Sequence, residues 1–113
     1  MNKIEAIIRS EKLEAVKNAL DLKGFGSMTV TEVKGRGQQK GIKQIWRGRE
    51  YKIDFIPKVK LEIISCSEKT DEIVSIIREN AYSGNIGDGK IFVLPVEKVM
   101  RIRTGECDEK ALE

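Results

Sequence analysis

At 113 residues and 12.8 kDa, with 40% hydrophobic and 35% charged residues, the chain suits one globular domain with a modest core and excludes disorder. Its 21 basic and 18 acidic residues leave a formal charge of +3, too little by itself to argue for nucleic acid or an anionic membrane as partner. No stretch approaches the ~18 apolar residues of a membrane span, no signal-peptide core opens the sequence, and Cys66 and Cys107 lack metal-ligand spacing, so two free thiols in a cytoplasmic chain are expected.

Residues 3–8, Lys-Ile-Glu-Ala-Ile-Ile, read as a first strand. Ser10 is a candidate N-cap, Leu13, Val16 and Leu20 recur at helical spacing, and Gly24 is placed to stop the helix. Thr and Val alternate over 27–34, which predicts a second strand. From Gly35-Arg-Gly-Gln-Gln-Lys-Gly41 to about Asp54 the sequence is polar without clear period, too long for a tight hairpin, and reads as a functional or mobile loop. A third strand covers 57–66, with Val59, Leu61 and Ile63 on one face and Lys58, Lys60 and Glu62 on the other. Thr70, followed by Asp71 and Glu72, opens a second helix whose stripe is Ile73, Ile76, Ile77 and Asn80-Ala81. A turn at 83–89 feeds a fourth strand at 91–96. The order βαββαβ predicts an α+β, ferredoxin-like sheet with two helices on one face. Ile91-Phe92-Val93-Leu94 is apolar on both sides, which calls for cover on both faces and predicts self-association.

Absences narrow the chemistry. There is no histidine, the commonest general base, and no Gly-x-Ser-x-Gly elbow, Walker A sequence or Cys-x-x-Cys pair, so an enzyme is disfavoured. The stretch from Gly84 to Arg103 carries the most information. Gly87 and Gly89 let the backbone turn its N–H groups toward an anion, Lys90 adds a mobile charge, and Arg101 and Arg103 offer planar forks. If Arg101-Ile102-Arg103 is extended, both guanidinium groups leave on one side. The same residues also suit a plain hairpin turn followed by solvated charges.

Three blocks, in order and with this spacing, resemble the PII nitrogen-regulatory signal transduction proteins. They are Thr29-Val-Thr-Glu-Val-Lys-Gly-Arg-Gly37 with Gln39; Arg47-Gly-Arg-Glu-Tyr-Lys-Ile-Asp-Phe-Ile-Pro-Lys-Val-Lys60; and Gly84-Asn-Ile-Gly-Asp-Gly-Lys-Ile-Phe-Val-Leu-Pro-Val, continuing to Arg101-Ile-Arg-Thr-Gly-Glu106. The likeness runs from residue 1 to about 112 as a single PII-like domain over 1–113, with a T-loop at about 37–55, a phosphate-binding loop at about 82–90 and a C-terminal loop at about 101–113. It implies a homotrimer with a cleft between neighbours in which ATP and ADP compete. It also implies that 2-oxoglutarate joins Mg-ATP there, reshaping the T-loop that grips or releases targets.

The resemblance assigns Ile7, Thr29, Gly35, Arg36, Gly37, Gln38, Glu62, Ile64, Gly87, Asp88, Gly89, Lys90, Arg101 and Arg103 to the nucleotide. Gly37, Gln39, Lys40, Gly41, Lys58 and Gly87 fall to 2-oxoglutarate, with Gln39 also ligating the magnesium and Lys58 pairing the distal carboxylate. Magnesium favours oxygen donors beside phosphates, which suits the Gln39 amide. Tyr51 matches a position nucleotidylated in many members by a nucleotidyltransferase, and Trp46 and Arg47 would meet the target. The sequence departs from the family pattern at Gln38, where many members have a phosphate-binding arginine, and at Arg36, where an aromatic is common. Trp46 and Arg49 also differ, whereas the retained Arg47-Gly48 inclines the reading to an ammonium transporter as target. The membrane would then be met only through that transporter. Nitrogenase and glutamine synthetase are alternative targets. An RNA-binding sheet would need stacking aromatics, and only 5% of residues are aromatic, so no nucleic acid is expected. An ATP-hydrolysing enzyme lacks a candidate base.

Overall fold

A computed structural model describes residues 1–37, 42–46, 48–53 and 55–112, with backbone alone in 42–46 and 49–53. Period-two alternation makes Asn2–Arg9 strand β1: Ile4, Ala6 and Ile8 are buried, and Lys3, Glu5, Ile7 and Arg9 take the opposite face. A 3-10 turn, Ser10–Lys12, follows, and only then α1 (Leu13–Leu22), which buries Val16 and Leu20. Ser10 is therefore not the expected N-cap; it lies within the turn, and no side chain caps either element. At the other end Phe25 N donates to Leu20 O and Gly24 N to Asp21 O, the paired bonds of a Schellman stop at Gly24.

Strand β2 is Thr29–Gly35, and β5 is Ile56–Ser65 with Val59, Leu61 and Ile63 facing the core. Between them the expected loop contains two strands, β3 (Ile42–Trp46) and β4 (Arg49–Ile53), paired antiparallel from Ile42↔Ile53 to Trp46↔Arg49. Gly48, between the two strands, has φ +74°, the left-handed conformation that a tight hairpin turn favours. Among the described residues this ribbon pairs with no other strand. It explains a radius of gyration of 17.0 Å, against the about 13 Å of a compact chain of this length.

Helix α2 spans Ser67–Ala81 and buries Ile73, Ile77 and Ala81. It begins before Thr70, which is not a cap but a buried pin. Its Oγ1 donates to Cys66 O (3.2 Å), shares a hydrogen bond with Ser65 Oγ (2.9 Å) and accepts one from Asn2 Nδ2 (3.0 Å). Strand β6 (Gly89–Pro95) completes an antiparallel sheet of order β2-β5-β1-β6, the ferredoxin-like arrangement, with both helices on one side.

Two features bear on function. The face away from the helices is polar along β1 and β5, where Lys3 Nζ meets Glu62 Oε2 at 2.7 Å. Strand β6 lies at the edge, and Phe92, Val93 and Leu94 remain 45%, 49% and 44% exposed although they alternate between faces, so this chain covers neither side of it. Beyond β6 the expected extended Arg101-Ile102-Arg103 is absent. Residues 102–104 form a turn in which Arg101 N donates to Glu106 O and Gly105 N to Arg101 O, each at 2.8 Å. Arg101 Nη1 bonds Glu106 Oε1 at 2.9 Å, folding the guanidinium back onto the turn rather than alongside Arg103. Thr104-Gly105 closes this bend, and local turn chemistry overrides the alternation.

Candidate functional site

The register of the central sheet gathers the site. Ile7 on β1 stands opposite Lys90 on β6, and Arg9 opposite Lys58 on β5. The end of β2 and the loop after α2 meet at this end of the sheet. A cavity of about 500 Å³ opens there, lined by Ile7, Gly35, Arg36, Gly37, Lys58, Asn85, Ile86, Gly87, Asp88, Gly89, Lys90 and Phe92. Gly89 is obligatory: its φ is +102°, and a Cβ built on it would lie 1.7 Å from the Ile7 carbonyl oxygen. The loop thus enters β6 in direct contact with β1, which fixes the start of the strand and the place of Lys90.

Asp88 organises the loop from within. Its carboxylate accepts bonds from Ser83 N (2.8 Å), Gly84 N (3.0 Å), Arg9 Nε (3.0 Å) and the Ser83 hydroxyl. These donors, the Ser83 hydroxyl foremost, hold its pKa well below the usual carboxylate range against the opposing effect of desolvation. Arg9 Nη2 also donates to Ile86 O at 2.8 Å. The N–H groups of Ile86 and Gly87 donate to no protein atom among the described residues, while the turn at 86 and 87 brings Asp88 N back toward the Asn85 carbonyl. A run of free amides on a glycine-rich bend is an anion-binding concavity.

The cations complete it. Lys58, buried although charged, donates from Nζ to the Gly87 carbonyl. Its burial, and next the positive charge of Arg9, push the Lys58 pKa down, with Glu11 and Asp88 opposing. Arg36 and Lys90 pair with no carboxylate among the described residues. The cavity wall therefore carries three cations, Arg36, Lys58 and Lys90, against the single and already satisfied carboxylate of Asp88. A second cavity of about 540 Å³ lies at the other end of β5, among residues such as Phe25, Cys66 and Leu112. Its charged lining, Glu68, Glu109 and Lys69, is net negative and suits no polyanion.

Not every expected site residue meets in this cavity. Thr29 and Glu62 stand opposite one another on β2 and β5, and Ile64 stands opposite Lys3, on the same sheet but outside the cavity lining. Hydrogen bonding to Lys3 lowers the Glu62 pKa, so Glu62 is engaged within its own chain. Arg101 and Arg103 also lie outside the lining. Trp46 and Tyr51 fall in the β3–β4 ribbon, Tyr51 opposite Gln44. Gln38, Gln39, Lys40, Gly41 and Arg47 lie outside the described residues. Among the described residues no three Cys, Asp or Glu side chains gather to hold a metal. The residues that the sequence reading missed are Arg9 and Ser83. Arg9 shares the strand face of Ile7 two positions on, which placed it beside the site for a reader who knew the register.

The family model described as nitrogen regulatory protein P-II matches residues 1–106. The chain belongs to the P-II family of nitrogen regulatory proteins. It is 55% identical to nitrogen regulatory protein P-II 2 of Methanothermobacter thermautotrophicus over 112 residues, covering 99% of this chain and 97% of that protein. It is 54% identical to nitrogen regulatory protein P-II of Pasteurella multocida, over 99% of this chain and all 100% of the relative. With nitrogen regulatory protein GlnK of Escherichia coli K12 the identity is 49%, over 99% and 100% of the two chains. The match spans the Gly-Asp-Gly-Lys loop and the ribbon between β2 and β5, and the chain is a nitrogen-regulatory signal transducer of this family. None of its described helices is long and apolar enough to cross a membrane.

Proposed function

We propose that this P-II protein senses adenine nucleotide and 2-oxoglutarate and relays nitrogen status to target proteins, without catalysing a reaction. The cavity carries the reading: the free loop amides of Ile86 and Gly87, with Arg36 and Lys90 beside the apolar side chain of Ile7, suit a polyphosphate with an apolar base. Each charged contact of this kind contributes ~1.5–3 kcal/mol, enough in combination for micromolar affinity. ATP and ADP would compete for this one cavity. Lys58 would exchange the Gly87 carbonyl for the distal carboxylate of 2-oxoglutarate. Gln39 would share the magnesium with the phosphates and that ligand, with Gly37, Lys40 and Gly41 around it.

The site is completed by neighbouring copies in a homotrimer. Arg101 and Arg103, outside the cavity of their own chain, would serve a neighbour's, and Thr29, Glu62 and Ile64 would meet base and ribose across the seam. The bare apolar edge of β6 supports association, since burying such surface contributes ~25 cal/mol per Å². The β3–β4 ribbon would engage the target through Trp46 and Arg47, and a cytoplasmic face of an ammonium transporter is the target favoured by Arg47-Gly48. Tyr51 in the same ribbon is the candidate for nucleotidylation.

Isothermal titration tests the core of this. 2-Oxoglutarate binds tightly only when Mg-ATP is present, and Lys90→Ala weakens ATP by about tenfold or more. Binding of 2-oxoglutarate without nucleotide, or an unchanged ATP affinity in Lys90→Ala, would overturn the assignment. Pull-down from membranes with and without both effectors identifies the target and separates a transporter from nitrogenase or glutamine synthetase.

A further inference from the structure

A carboxylate in the middle of a polyanion-binding loop is an electrostatic contradiction, and Arg9 resolves it. Both Asp88 oxygens are consumed: one by Arg9 Nε and the Ser83 hydroxyl, the other by the N–H groups of Ser83 and Gly84. Of these four donors only Arg9 brings a full positive charge. Its second prong holds the Ile86 carbonyl, so one guanidinium grips both the carboxylate and the backbone immediately before Gly87. Both side chains of the pair are 23% exposed, in reach of a bound anion's field. Arg9 also stands directly opposite Lys58, and two adjacent cations on one sheet face repel unless a carboxylate lies between them.

Resting on the nucleotide reading above, we propose that Arg9 is a positioning residue that screens Asp88 from the phosphate chain and so makes an acidic loop competent to bind a polyanion. Arg9 need not touch the nucleotide; it acts through Asp88. Removing it would leave the loop ordered by Ser83 and Gly84 but with an uncompensated negative charge beside the free amides of Ile86 and Gly87. The penalty then grows with the charge of the ligand and vanishes when Asp88 is neutral. A simple structural brace would behave differently, weakening ATP and ADP alike whatever stands at position 88.

The experiment is a double-mutant cycle of Arg9→Gln and Asp88→Asn, titrated with Mg-ATP and with ADP, each variant first shown to be folded by circular dichroism and thermal unfolding. Arg9→Gln weakens ATP on the order of tenfold and ADP less, as a unit charge at cavity distance should. In the Asp88→Asn background the same substitution costs little. Equal losses in both backgrounds, or equal losses for ATP and ADP, overturn the proposal while leaving the nucleotide reading intact. Failure of the wild-type protein to bind either nucleotide overturns both. If Arg9→Gln does not fold, Arg9→Lys carries the test: retained charge predicts that most of the ATP affinity survives, and its loss counts against screening.

Discussion

Lys58 is the residue whose surroundings have the clearest consequence for stability. Its ammonium is buried against the Gly87 carbonyl and faces Arg9, so its pKa in the folded protein lies below the ordinary 10.5. Between that lowered value and 10.5 the unfolded chain holds more protons than the folded one. Stability therefore rises with pH across that interval. Below it the charged side chain burdens the fold in full. In urea titrations at increasing alkaline pH, the wild type should gain stability relative to Lys58→Met as 10.5 is approached. A constant difference between the two would show that Lys58 is not strained by burial. A bound carboxylate is the natural relief of this strain, which supports the proposed pairing of Lys58 with a carboxylate effector.

At the scale of elements, the alternation of Ile4, Ala6 and Ile8, and of Val59, Leu61 and Ile63, and the stripe Ile73–Ile77 made the sheet and its helices legible in the sequence. The ribbon at 42–53 was not legible, because Ile42 and Ile45 are three residues apart and give no period-two signal; its pairing is set by a turn at Gly48. Acidic residues after Thr70 imitate a helix start, whereas the hydroxyl is spent on tertiary bonds that no local pattern reveals. Thr70→Val should accordingly cost about 1–3 kcal/mol in denaturant unfolding, since it strands Ser65 and Asn2. A change within error would mean that water replaces those bonds. In the site, Gly87, Gly89 and Lys90 are readable from turn chemistry. The Arg9–Asp88 pair spans 79 residues and required the register of β1 against β6. The bend at Arg101 shows the reverse case, a local turn defeating a plausible extended reading.

On the scale of the whole molecule, β6 is the unfinished part. Phe92 and Leu94 face away from the helices and Val93 toward them, all about half exposed on an edge strand. A long apolar edge left bare invites indiscriminate pairing, and natural proteins cover such edges. In sedimentation velocity, Phe92→Glu together with Leu94→Glu should convert the proposed trimer to smaller species. Retention of the wild-type sedimentation coefficient would place the interface elsewhere. Because the proposed cleft lies between copies, the same pair of substitutions should weaken ATP as well.

Strands β3 and β4 pair with each other in a sheet of their own, apart from the four-stranded sheet that carries the described core. Mutations there can accumulate without disturbing the sheet register that aligns Ile7 with Lys90. On the proposed function, lineages of such proteins are free to rewrite whom they address while keeping unchanged what they measure, and a transplanted ribbon should carry one protein's allegiance onto another's sensor.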